Sequence, residues 1–441
     1  MGEIITVQVG QCGNQIGQTF WPHVLKDYGL IRGNAAVPKK AKSDNYYDSF
    51  FYNPHQVSFA SLDDMQRHNI KARALLVDME DSVVERFHSS KLQYLFEKSC
   101  TLKSYPGSGN NWAVGHFTHG REQKETFLEM LQTSVERCDS LSGFLSMFSL
   151  SGGTGSGLGS AIVELLEEEY PKSNRFVCCV HPGENVDVVT APYNILLSLS
   201  KLKEHATCVF PVDNKVLLDI SNRLFMSKDM KFWKPYQNMN TIIAKFLLNI
   251  TSGARFAGIS DLNIGDLSSH LVPYPGLHFL ASSMSPISFV KEEDIPVNQR
   301  HTNLIVDLWS KSNQLMPIPP TKGLVNSIAL LARGDFSPST LNTYVSKVQN
   351  RLRWSSWSTK TAKMAHCPKS PYDHPKSLTC LSNTDMMGHF FADTLVKFYR
   401  LYKKKAHVHH YTAVDGFEDS FLSSVRNLRD VVDAYEDNKQ L

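Results

Sequence analysis

The chain has 441 residues, 42% of them hydrophobic and 20% charged, which is enough apolar content to bury substantial cores and excludes a disordered chain. Its 46 basic and 43 acidic residues leave a formal charge of +3, so no strong global field points to nucleic acid or to a membrane surface. Eight scattered cysteines without a CxxC pair fit the reduced thiols of a cytosolic protein better than a disulfide or zinc framework.

The N-terminus runs directly into the apolar segment Ile4–Val9, without the charged region and cleavage site of a secretory signal. No apolar run approaches the roughly 18 residues of a membrane helix. Ile4–Val9 reads as a strand, followed by a glycine-containing turn and a helix over Cys12–Tyr28. Residues 31–68, rich in Asn, Ser, Asp, Tyr and Lys without periodicity, read as a long mobile surface loop. Further strands are expected at Ala74–Asp78, Gly143–Leu150, Phe176–His181 and Cys208–Val212. Helices are expected between them at Ser82–Arg86, Glu122–Cys138, Leu158–Tyr170 and Tyr193–His205. This alternation predicts an α/β fold with a doubly wound, mostly parallel sheet.

A second apolar helix, Asn238–Ile250, leads into a strand-rich segment, and two helical patterns at Phe390–Tyr402 and Glu418–Tyr435 flank a basic, histidine-rich turn. The expected division is a nucleotide-binding domain over 1–230, a connecting helix over 231–254, an α+β domain over 255–383 and a C-terminal helical hairpin over 384–441. His407, His409 and His410 beside Lys403, Lys404 and Lys405 read as an exposed basic turn, and no transition metal is assigned to them.

The most informative stretch opens from the strand-like residues before Leu150 into Ser151, Gly152, Gly153, Thr154, Gly155, Ser156 and Gly157, and then into a helix. Glycines let successive N–H groups curl around phosphate oxygens, while the helix presents unpaired amides and its positive end. The loop lacks the GK[ST] of a Walker motif and does not fit the G-x-G-x-x-G register cleanly. Its weight comes from three other loops at strand ends: Gly10 to Gln15, Asp78 with Glu80, and Gly107 to Trp112. In an open α/β sheet such loops converge on one ligand.

These residues also resemble a known family. VQVGQCGNQIG at 7–17, GNNWAVGH at 109–116 and GGTGSG at 152–157 look like tubulin, and so do the Pro192-Tyr193-Asn194 run, LVPYP at 271–275 and KKKAHVHHY at 403–411. The resemblance implies a GTP or GDP site with magnesium. In it Gln11, Asp78 and Glu80 organise Mg2+ and its waters, and Gly109, Asn110, Gly152, Gly153, Thr154 and Gly155 hold the phosphates. Cys12 and Gln15 lie along the nucleotide, Ser149 and Asp187 near the ribose, and Asn214, Tyr236 and Asn240 read and stack the guanine. These residue types suit their roles: carboxylates and amide oxygens take a hard cation, Asn reads a base edge, and Tyr offers a ring.

The family's acidic residue that completes hydrolysis in the next subunit corresponds to Asp266, one methylene shorter than the Glu of alpha-type chains. Two departures bear on the pocket: Ser151 stands where the family has a first glycine, and Ala191 where it has a ribose-contacting Glu. The resemblance further implies longitudinal association with other tubulin subunits in the cytoplasm and cytoskeleton, and no nucleic-acid or membrane partner. GSGNNWAVGH and YKKKAHVHHY look most like the minor members of centrioles and ciliary basal bodies, epsilon and zeta. The short segment before Tyr236 favours a zeta-like chain, with minor centriolar tubulins as partners. Two other readings are a nucleotide-stabilised scaffold that does not hydrolyse GTP, and a dinucleotide-dependent enzyme on the same sheet.

Overall fold

A computed structural model describes residues 2–31, 46–57, 59–183, 188–225, 234–256, 258, 264–274, 276–289, 303–319, 321–356, 358 and 362–437. The strands in chain order are β1 Glu3–Val9, β2 Phe51–Tyr52, β3 Lys71–Ala72, β4 Ala74–Asp78, β5 Thr101–Lys103, β6 Leu141–Ser149, β7 Asn174–His181 and β8 Cys208–Asp213. They continue with β9 Ala281–Ser285, β10 Leu324–Gly334, β11 Arg353–Trp354, β12 Ala362–Cys367 and β13 Lys376–Thr384. One sheet, wholly parallel, runs β5-β4-β1-β6-β7-β8. Strands β1, β4 and β8 are buried along their whole length, which requires cover on both faces and explains their near-continuous apolar sequences.

The strand period of two divides that cover. Ile4, Leu76 and Met147 share one core with Ile16, Phe20 and Val24 of the first helix, Gly10–Asp27, and with Ile242, Ile243 and Phe246 of the central helix, Pro235–Ile250. Ile5, Val7, Val9 and Val77 face the other way, into a core shared with helices Gly159–Glu169 and Ala191–His205 and with the C-terminal helices Met387–Tyr402 and Ser420–Asp437. The two C-terminal helices pack on each other and on Ala191–His205. Phe398 lies 5.5 Å from Phe421 between ring centroids, and Tyr193 lies 5.5 and 5.0 Å from those two rings. The second sheet is mixed, in the order β11-β10-β13-β9 with β12 also paired to β10.

The expected doubly wound sheet and helical hairpin are present. The stretch 31–68 is a correction in part: 32–45 lie outside the described residues, but from Tyr46 onward the chain is anchored. Phe50, Phe51 and Met65 are fully buried, and Phe50 packs edge-on against Phe20 and Trp21, with centroids 5.6 and 6.0 Å away. These aromatics anchor a short turn and a two-residue strand, elements too short to leave a period in the sequence. The helix expected over Glu122–Cys138 is likewise interrupted at Gln123 and continues as Lys124–Val135.

The first helix, the short helix Ser252–Arg255 after the central helix, and the second sheet meet at a buried ion cluster. Asp27 accepts from Arg333 Nη2 at 2.9 and 3.0 Å and lies 2.7 Å from Arg255 Nη1, and all three side chains are at most 1% exposed. Burial would raise the Asp27 carboxyl, but Arg333 and Arg255 outweigh it and hold the group below the usual carboxylate range.

Candidate functional site

The strand order reverses beside β1: the chain moves outward to β4 and β5, then returns to place β6 on the other flank of β1. A crevice opens at such a switch point, outside the carboxyl ends of the two central strands. β1 is followed directly by Gly10, and β6 ends at Ser149, with two residues between it and the glycine loop that starts at Gly152. Gly10, directly after β1, has φ +71°, and a Cβ on it would lie 3.0 Å from the Gly155 nitrogen, so the turn after β1 touches the glycine loop after β6. The first helix and the wide turn Thr154–Leu158 both begin without a side-chain cap, leaving their first amides to face an anion.

The turn 107–112 closes on this pair. Ser108 Oγ meets Thr154 Oγ1 at 2.9 Å, and Gly109 and Asn110 are both left-handed at φ +54°, a conformation that Gly and Asn tolerate best. Asn194 Nδ2 donates to the carbonyls of Asn110, at 2.9 Å, and Ser151, at 2.7 Å. Ser108 and Asn194 were not assigned from sequence as site residues; a serine flanked by glycines was the signal for the first, and the Pro192-Tyr193-Asn194 run, read only as part of the family resemblance, was the signal for the second.

The two departures from the family pattern sit as follows in the fold. Ser151 is not among the residues with positive φ, so the position does not need glycine; its N–H donates to Ser149 Oγ at 3.2 Å. Ala191 is fully buried in the core and is not part of the cleft wall.

A cleft of about 1010 Å³ runs from the start of the first helix to the start of the central helix. Gln11, Cys12, Gln15, Ser149, Asn214, Tyr236 and Asn240 line it. Tyr236 is 64% exposed, so its ring is available for stacking. Burial pushes the Cys12 thiol up to about 12, so at neutral pH it is a neutral wall atom and not a nucleophile. Gly152, Gly153, Thr154 and Gly155 follow the cleft-lining Ser151 in the chain, while Gly109 and Asn110 are joined to the same loop through Asn194. Asp187 lies outside the described residues.

Asp78 ends β4 beside these loops. It is 2% exposed; Oδ1 accepts from the Met79 N–H at 2.8 Å, and Oδ2 is buried with no hydrogen-bond partner. Burial, with the Glu80 charge adding to it, pushes its carboxyl up to about 7. Glu80 is exposed and reaches the turn, its Oε1 being 3.0 Å from where a Cβ on Gly107 would stand. Two carboxylates and the Gln11 amide suit a hard cation that keeps waters and shares ligand phosphates, and they are too few for an all-protein cage. Folded Asp78 therefore holds its proton more tightly than the unfolded chain, and without divalent cation the Tm is expected to fall as pH rises from about 4 to about 7. Adding a divalent cation, which takes the proton's place, should flatten that slope; Asp78→Asn should fold and show neither effect.

Asp266 stands apart. It is exposed in the first turn of helix Ile264–Leu271, and Ser268 Oγ of that helix donates to Asn174 Oδ1 at 3.1 Å, at the start of β7. The cleft lies at the other end of the same sheet. The eight residues of β7 span roughly 26 Å at strand rise, so Asp266 does not reach this chain's own cleft.

Comparison with known proteins adds to this geometry. Residues 3–222 match the model of the Tubulin/FtsZ family GTPase domain, and 275–395 match that of the Tubulin C-terminal domain. The tubulin epsilon chain of Mus musculus is 37% identical over 99% of this chain and 96% of its own length. The Homo sapiens epsilon chain is 36% identical over the same shares, and the Homo sapiens tubulin beta-1 chain is 30% identical over 99% of this chain and 94% of its own.

Proposed function

The chain belongs to the tubulin family, and from that premise we propose that it is a guanine-nucleotide-binding structural subunit that associates head to tail with other tubulins. The observation that carries the proposal is the opposition of the two ends: the uncapped helix starts and glycine loops gather at the carboxyl end of the parallel sheet, and Asp266 is presented at the other. A surface that fits a different surface on the next copy gives a heterologous, open-ended contact, which is what longitudinal stacking requires.

In this reading Gly109, Asn110 and Gly152 to Gly155 take the phosphates, with Cys12 and Gln15 along the nucleotide. Ser149 faces the ribose, and Asn214, Tyr236 and Asn240 read and stack the guanine. Gln11, Asp78 and Glu80 would hold Mg2+; the buried Asp78 Oδ2, without a hydrogen-bond partner among the described residues, supports that assignment. When bound, the cation supplies positive charge against the phosphate oxygens. Asp266 orients water at the neighbour's γ-phosphate, giving slow hydrolysis only at the contact. The resemblance of the whole chain to epsilon chains supports service at centrioles or basal bodies beside other minor tubulins, with domains over 1–230, 255–383 and 384–441 joined by the central helix.

Denaturing the purified protein and chromatographing the released nucleotide tests this directly. Close to one GTP or GDP per chain is expected. A nicotinamide cofactor, or an empty protein that takes up no GTP with magnesium, would sink the proposal. Asp266→Ala should leave single-chain affinity unchanged and slow hydrolysis in assemblies by about 10²-fold; equal turnover would remove Asp266 from the reaction, and no turnover in wild-type assemblies would mean a non-hydrolysing scaffold.

A further inference from the structure

We infer that Asn194 is a positioning residue that couples the phosphate loops to the exposed cationic turn 403–410, so that nucleotide binding and the order of that turn depend on each other. The inference rests on the nucleotide reading above. Asn194 is fully buried in the first turn of helix Ala191–His205. A side-chain amide has two hydrogens to donate and two lone pairs to accept with, and here all four are used. Nδ2 donates to Asn110 O at 2.9 Å and to Ser151 O at 2.7 Å; Oδ1 accepts from the Trp112 N–H at 3.0 Å and from the Tyr411 hydroxyl at 2.6 Å. One side chain thus ties together the two loops assigned to the phosphates and the segment that follows the cationic turn.

The turn is held to the same place by two further bonds. Tyr193 donates its hydroxyl to Ala406 O at 2.7 Å, and Asn111 Nδ2 donates to His410 O at 2.9 Å. On either side of Ala406 the backbone passes through the left-handed region, at Lys405, φ +51°, and His407, φ +58°, which non-glycine residues seldom adopt. Lys403, Lys404, Lys405, His407, His409 and His410 are all exposed there. A ligand that fixes the Asn110 and Ser151 peptides fixes the Asn194 amide plane, and with it the Tyr411 hydroxyl and the turn. Linkage makes the effect reciprocal: an acidic partner surface seated on the turn tightens the nucleotide by the same factor.

Hydrogen exchange over 403–412, with and without GTP and magnesium, combined with nucleotide dissociation rates, tests the coupling. In the wild type, nucleotide is expected to slow exchange in this segment by about tenfold. Tyr411→Phe keeps the buried ring and should keep the Tm, yet reduce that slowing to about twofold or less. Asn194→Asp turns the donor toward two carbonyls into an acceptor and should speed nucleotide release about tenfold or more. Exchange unaffected by nucleotide in the wild type, or full coupling in Tyr411→Phe, overturns this inference alone; a wild type that binds no GTP overturns the nucleotide reading with it. If Asn194→Asp does not fold, the Tyr411→Phe comparison still decides.

Discussion

Asp27→Asn is expected to lower the free energy of unfolding by about 3–5 kcal/mol, because the amide leaves Arg255 and Arg333 buried without their counter-charge. Their other close partners are neutral: Arg255 donates to Leu248 O at 2.6 Å and Thr251 Oγ1 at 3.2 Å and stacks on Phe256, 4.8 Å from the ring centroid, and Arg333 donates to Asn249 Oδ1 at 3.3 Å and Lys369 O at 3.4 Å. The size of the loss reflects stranded charge and not the net worth of the cluster. Denaturant unfolding measures it, and exchanging all three residues for apolar ones of similar volume should recover much of the loss. A cost below about 1 kcal/mol for Asp27→Asn would mean that water reaches the cluster. Because Asp27 closes the first helix, Arg255 follows the central helix and Arg333 lies in β10, the variant should also unfold less cooperatively, with the two sheets separating in the transition.

Gly157→Val should lower nucleotide affinity by about 10²-fold, since misplacing a binding loop by even an ångström has effects of that order. A Cβ at this position would press on the Trp112 carbonyl and stand 2.9 Å from both the Gly115 Cα and the His116 nitrogen, all backbone atoms with nowhere to move. The glycine loop and the turn 107–112 would be pushed apart, so a loss of about 1–3 kcal/mol in folding is expected alongside the lost binding. Gly152→Ala is the control. Its Cβ would face open space, with only Asn110 Oδ1 as near as 4.0 Å, so it should keep the wild-type Tm and weaken binding only through contact with the ligand. Equal destabilisation by both variants would refute the packing explanation. The contrast can be read by thermal unfolding and fluorescent-nucleotide titration of the same preparations.

The two variants separate what was legible in the sequence from what was not. Five of the six parallel strands announced themselves as apolar runs, whereas β5, three residues at the sheet edge with a threonine and a lysine, has no run to detect. The convergence of strand-end loops was readable because switch-point geometry depends only on strand order and chain direction. The reason for the glycines was read only in part: backbone freedom was expected to matter throughout 151–157, yet Ser151 needs no positive φ and Gly157 is required by close approach. Asp27 and Arg333 lie 306 residues apart, and Tyr411 lies 217 residues from Asn194, so neither pairing leaves a local period or motif. Within the family, the motifs pointed to a minor chain, zeta-like or epsilon-like, with the short segment before Tyr236 favouring zeta, and the chain is 36–37% identical to epsilon chains along nearly its whole length.

The ion cluster and the C-terminal cover together impose an order of events on synthesis. Ile5, Val7 and Val9 of β1 share their core with Leu428, Val431 and Tyr435, which are translated far later. Asp27 meanwhile meets Arg255 first and waits for Arg333, the second guanidinium of the cluster, which is translated 306 residues after it. At about 5–20 residues per second that wait lasts roughly 15–60 s. Throughout it the nascent chain carries an apolar sheet face whose C-terminal cover has not yet been made, so the native surroundings of β1 are completed only late in synthesis.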